Sequence, residues 1–222
     1  MPLYDIHTHH RSARLDVVSI LNVMVDEGTT SLPDTAPCSV GMHPWTRHDD
    51  IEKAWERCVM LAHRPSVVAI GEAGLDRNVD TPWDEQMEIF RRHIALSEEL
   101  GKPLVVHCVR AFDEVIKERR NNEVEQPWIL HGFNKGGDVM DRLIDAGCHL
   151  SFGEALLKER SPARAAIARI PHGRVLLETD DASVTIEDIY MTAATLRGMT
   201  PEGIEAMTTR TVRHLFPQLA VR

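Results

Sequence analysis

Short apolar runs alternate along the chain with longer stretches whose apolar residues recur every three or four positions, the pattern of parallel strands joined by helices. The runs are LYDI, VVSILNVMV, CSVGM, SVVAI, PLVV, WIL, CHLSF and RVLLE. Helical periodicity covers roughly 50–63, 82–100, 111–121, 137–146, 162–169, 185–198 and 201–215. In the second of these stretches Thr81 is the expected N-cap, Pro82 the first helical residue, and Gly101 with Pro103 the stop. The earliest connections, HHRSARLD and the Gly/Thr/Pro-rich DEGTTSLPDTAP, are too short or too broken for full crossover helices. The pattern predicts an α/β chain, a (β/α)8 TIM-type barrel trimmed in its first βα connections. An open doubly wound sheet is the alternative, but no Gly-rich phosphate loop supports it.

Composition narrows the class. The 222 residues carry no low-complexity stretch, internal repeat or linker, so a single domain over 1–222 is expected. Hydrophobic content of 43% and charged content of 27% are ordinary for a globular protein. The longest apolar run is far short of the ~20 residues of a membrane helix, and no signal-peptide pattern opens the chain. Cys38, Cys58, Cys108 and Cys148 are sparse and form no CxxC pair, which suits a reducing, cytoplasmic setting and no membrane partner. The net charge of -9 argues against a generic DNA-coating protein. A nucleic-acid substrate would need a local cationic patch or bound metal ions.

The residues that follow the apolar runs carry the chemistry. LYDI is followed by His7 and His9, SVVAIG by Glu72, PLVV by His107, WIL by His131 and RVLLET by Asp180. Alternate residues of a strand point the same way, so His7 and His9 alone make half of a metal site. Any one of these residues has an ordinary structural explanation. Five strands that each finish in an imidazole or carboxylate converge, in a barrel, on the face where active sites are built. Four histidines and two carboxylates without a cysteine suit divalent Zn, Mn, Mg, Ni or Fe. Six ligands exceed one tetrahedral site and suffice for two ions about 3.5–4 Å apart with a bridging carboxylate. Such a pair activates water and stabilises charge at a phosphoryl or acyl centre, so the implied chemistry is hydrolysis.

DIHTHH, GMHPW, GEAGLD, PLVVHC, LHGF, LLETD and the closing TTRTVRHLF resemble, in order and spacing, the motifs of the TatD family of metal-dependent hydrolases, from about residue 3 to 216. The resemblance implies two metal ions, with His7, His9 and Asp180 on one, His107 and His131 on the other, and Glu72 bridging. It implies a deoxyribonuclease or phosphodiesterase acting on DNA or another phosphodiester. Asp180 then binds an ion through one oxygen and takes the proton of the attacking water with the other, a role closed to a bridging Glu72. The chain departs from the family pattern at Val109, where an arginine is usual and Arg110 comes one later, at Asp181, where a small residue is usual, and at Thr211 in place of asparagine.

Arg110 and Lys135, just beyond His107 and His131, are candidate phosphate contacts. His43 is a candidate to meet substrate or orient a ligand, and Trp45 a candidate stacking face. His10 is expected to face away from His7 and His9. His48, His63, His93, His149, His172 and His214 are read as structural or solvent-facing. Two rival functions remain. One is an amidohydrolase-like enzyme cleaving a C–N or lactone bond, disfavoured by Glu72 at the bridge position where such enzymes use a carboxylated lysine. The other is a non-catalytic metal-binding scaffold, disfavoured by the complete ligand set.

Overall fold

The structure, a computed structural model, describes residues 2–33, 36–121 and 124–221; positions 34 and 35 of the connection expected over 26–37 lie outside them. The strands are β1 Leu3–Thr8, β2 Val17–Met24, β3 Cys38–Gly41, β4 Val67–Asp76, β5 Leu104–Val109, β6 Trp128–Leu130, β7 His149–Phe152 and β8 Val175–Leu177. The helices are α1 Ile51–Ala62, α2 Trp83–Leu100, α3 Phe112–Asn121, α4 Gly137–Asp145, α5 Pro162–Arg169, α6 Ile186–Arg197 and α7 Pro201–Leu215. The strands belong to one sheet in chain order, β1 to β8. This is the (β/α)8 succession, and among the described residues no helix separates β1 from β2 or β2 from β3.

The chain forms two compact units. One runs up to Ile20 and resumes at Leu130; the other is Leu21–Ile129. In the first, β8 pairs in parallel with β7, and Thr8 at the end of β1 bridges to Asp180. The Tyr190 hydroxyl accepts the Tyr4 N–H and donates to the Tyr4 carbonyl, fixing α6 against β1. Helix starts follow sequence chemistry. Ser161 and Thr200 cap α5 and α7, each followed by proline, and Thr185 with Asp188 forms a capping box on α6.

In the second unit β4 is buried along its whole length and pairs with β3 and β5. It runs on past Ile70, through the GEAGLD segment, to Asp76. The β4–β5 register shifts between Ile70 and Ala73, a bulge that re-aims the Glu72 side chain. Gly74, at φ +158, lies so close to β5 that a Cβ would sit 2.0 Å from the His107 carbonyl oxygen. Only glycine fits there. One expectation fails at α2. Pro82 is its N-cap, without a side-chain hydrogen bond, and the helix begins at Trp83. The Thr81 hydroxyl instead donates to the Pro44 carbonyl, 2.7 Å away, so it serves the loop after β3. Gly101 ends α2 in the left-handed conformation, as expected.

Candidate metal centre

In the first unit, His7 sits fully buried near the end of β1 and His131 directly follows β6. Their rings are 4.3 Å apart, and the His9 ring is 5.8 Å from that of His7. Asp180, beyond β8, places Oδ1 3.6 Å from His7 Nε2 and 3.5 Å from His9 Nε2. His7, His131 and Asp180 each offer a ligand atom within 4.8 Å of the others. Burial would raise the Asp180 pKa, but His7 and His9, with the nearby charge of His131, hold it far below the carboxylate range. The carboxylate is thus ionised at any working pH.

A hydrogen-bond network seats Asp180. Asp5 accepts the Thr179 N–H at 2.9 Å and the Thr179 hydroxyl at 2.6 Å. The Thr8 hydroxyl donates to the Asp180 carbonyl. Burial pushes the Asp5 carboxyl up to about 7 against the lowering pull of Thr179. Asp180 itself adopts φ +55, a left-handed backbone that costs a non-glycine residue on the order of 1–3 kcal/mol. Glu178, with no exposed surface, accepts the Gly132 N–H through Oε1, which lies 3.6 Å from His131 Nδ1. A cavity of about 330 Å³ opens beside these residues, lined by Asn134, Lys158, Glu178, Asp180 and Asp181 among others.

In the second unit, Glu72, His43 and His107 form another group with ligand atoms within 4.8 Å. Glu72 Oε1 is 3.0 Å from His43 Nε2 and 2.7 Å from His107 Nδ1. Glu72 Oε2 accepts from Asn22 Nδ2 at 2.9 Å, and Asn22 in turn accepts the Glu72 N–H and the Ser39 hydroxyl. His107 Nε2 lies 3.1 Å from Asp76 Oδ2. Burial opposes ionisation of Asp76, yet hydrogen bonds from Trp45, the Asn78 N–H and His107 hold its pKa below the ordinary range.

Each expected residue therefore has a place. The resemblance put His131 with His107; in the structure its ring lies against His7. His43 is buried and bonded to Glu72, so it orients that carboxylate and does not lie open to a substrate. Arg110 and Lys135 are exposed, and Arg110 shares the left-handed backbone, at φ +55. His10, exposed, meets Asp181 at 2.9 Å. Thr211 bonds the Met207 carbonyl within α7. His93, in α2, is structural: its Nε2 accepts the Met42 N–H and its Nδ1 donates to the Ile89 carbonyl. Sequence reasoning missed Asp5, Asn22, Asp76 and Glu178. Three of them sit inside motifs already noticed, DIHTHH, GEAGLD and LLETD; Asn22, in the middle of an apolar run, gave no signal.

The family of TatD related DNases matches residues 23–217. The chain belongs to the TatD family. Its relatives include "Uncharacterized metal-dependent hydrolase YabD" of Bacillus subtilis, 30% identical over 80% of this chain and 76% of that protein. "3'-5' ssDNA/RNA exonuclease TatD" of Edwardsiella piscicida is 32% identical over 81% of this chain and 73% of its own length. The crystal structure of YJJV, a TatD homolog from Escherichia coli, superposes with a TM-score of 0.82 at 19% identity, covering 96% of this chain and 97% of that one, and shares the fold. The chain is a TatD-family metal-dependent hydrolase. Its groups of imidazoles and carboxylates, without sulfur, fit divalent cations of borderline or hard character.

Proposed function

We propose that the chain hydrolyses phosphodiester bonds of single-stranded nucleic acid, as a deoxyribonuclease, with two divalent ions, one on each histidine–carboxylate group. The observation that carries this reading is the pair of groups itself: His7, His9, His131 and Asp180 in one unit, His43, Glu72 and His107 in the other. The relative named as an ssDNA/RNA exonuclease supports the substrate class. The ions, Zn, Mg, Mn or Ni, would supply a water of lowered pKa and neutralise charge at the phosphorus.

The chain's own residues do the rest. Asp180 Oδ1 is engaged with His7 and His9, and Oδ2 takes the proton of the attacking water. Thr179, Thr8 and Asp5 hold that carboxylate in place. Glu178 fixes the orientation of His131. Asn22 and His43 fix Glu72, and Asp76 fixes His107, so the ligand set is arranged before an ion arrives. Arg110 and Lys135 meet the phosphates of the strand, a cationic contact that the acidic chain needs. Four sparse cysteines without a CxxC pair, Cys38, Cys58, Cys108 and Cys148, fit work in the cytoplasm, and among the described residues no helix is long and apolar enough to cross a membrane.

The test is a screen of the metal-free protein reconstituted with each ion against 5′-labelled single-stranded DNA, RNA and a panel of small amides and lactones. A ladder of shortened DNA products is expected. Turnover of amides or lactones alone, or no turnover with any ion, overturns the reading.

A further inference from the structure

We infer that Trp45 is a stacking platform for a nucleobase of the bound strand, so that the site prefers base-bearing to bare phosphodiesters; the inference rests on the nuclease reading above. Trp45 follows β3 in the GMHPW segment and is 62% exposed. The other large exposed apolar side chains among the described residues, Leu15, Met24, Met60 and Met191, are aliphatic or thioether. An exposed indole forgoes most of the apolar burial that normally explains a tryptophan. A mobile surface ring would at least keep its conformational freedom, but this one does not.

Two hydrogen bonds and two ring contacts hold it. Its Nε1–H donates to the buried Asp76 Oδ2 at 2.6 Å, and its backbone N–H donates to His43 Nδ1 at 3.1 Å. Its ring stands nearly perpendicular to His43, at 4.9 Å, and to His107, at 5.7 Å. The polar edge is therefore anchored beside the Glu72 group while much of the ring remains open to solvent. A flat, immobilised π-surface with its N–H already used recognises another flat π-system and reads no hydrogen-bond pattern. Every nucleobase supplies such a face, and loss of one stack costs about 5- to 150-fold in affinity. Stacking is also independent of charge, which matters in a chain of net charge -9 that repels phosphate at long range.

The test measures dissociation constants of the metal-loaded protein for a nuclease-resistant phosphorothioate oligothymidylate and for an abasic strand of equal length. It measures cleavage of the ordinary oligothymidylate separately. The wild type is expected to bind the base-bearing strand about 5- to 150-fold tighter. Trp45→Ala is expected to bring that ratio near one, while Trp45→Phe, which keeps the ring and loses the N–H, retains most of it. Equal wild-type affinity for the two strands overturns the platform without any variant. A Trp45→Phe that loses the ratio as fully as Trp45→Ala also overturns it, because the N–H to Asp76 would then be the whole of the residue's role. Cleavage judges the nuclease reading independently: a binding ratio present without cleavage supports the platform and removes the nuclease, whereas cleavage with a ratio of one does the reverse.

Discussion

The two histidine–carboxylate groups are built from similar residues and held in different ways. Around Glu72 the side chains are buried and bonded to one another: His43, His107 and Asn22 take both carboxylate oxygens, and Asp76 takes the second nitrogen of His107. Around Asp180 the contacts are longer, at 3.5 and 3.6 Å, and the carboxylate side chain is 40% exposed beside a cavity. A closed, self-bonded group holds its shape without help and gives up hydrogen bonds when it takes an ion. An open group with an ionised carboxylate leaves an oxygen accessible to what enters the cavity. On the function proposed above, holding falls to the first group and reacting to the second.

The largest test of that division is a pair of substitutions. Asp180→Asn should lower kcat by about 10²–10⁴-fold with the ions retained, and excess metal should not restore it. Glu72→Gln should lose its ion, and activity should recover in part as metal is added. Titration of each variant with metal, followed by elemental analysis, checks both. Full recovery of Asp180→Asn would make Asp180 a ligand alone.

Acid should attack the closed group through its support. His93, fully buried and bonded to the Met42 N–H, is held by burial at a pKa of about 4, below the ordinary imidazole value of 6.5. Above 6.5 folded and unfolded chains are both neutral at this residue, so its contribution is unaffected by pH. As pH falls from 6.5 toward 4 the unfolded chain binds a proton that the folded chain refuses, and stability drops by about 3 kcal/mol. Denaturant unfolding from about pH 7.5 down to about pH 4.5 measures the slope, which His93→Gln should flatten.

Smaller effects come from the residues that orient ligands. Asn22→Ala and Glu178→Gln should each weaken metal affinity by about 10–100-fold, the first at the Glu72 group and the second at the Asp180 group. Calorimetric titration that resolves two binding events distinguishes them; loss of the same event in both variants would erase the division. Smallest is the cationic contact. Arg110→Gly should relieve the left-handed backbone by about 1 kcal/mol in thermal unfolding while raising KM for DNA several-fold. Arg110→Ala and Lys135→Ala should each reduce the salt slope of DNA binding by about one.

The chain's own pattern reached far into both groups. His7, His9, Glu72, His107, His131 and Asp180 were visible because each lies at or within three residues of the end of an apolar run, a relation local in sequence. Their supports were less visible. Asp76 looked like the end of a motif, and Asn22 like one polar residue in an apolar run. For His43 the residue order left two roles open, meeting substrate or orienting a ligand, because burial of a loop histidine depends on what folds over it. Thr81 had the chemistry of an N-cap, but its hydroxyl found the Pro44 carbonyl.

Residue order by itself determined the eight strands, the helices between them and the residue types at the strand ends, because periodicity, caps and turns act over a few neighbouring positions. Tertiary structure decided which ligands share a group, which carboxylates are bonded and which are open, and where the backbone is forced into left-handed geometry. Asp5 meets Thr179 across 174 positions of sequence, and Glu72 meets His107 across 35. Contacts of that kind exist only once the strands have paired, since burial and hydrogen-bond geometry are set by approach through space and not by order along the chain.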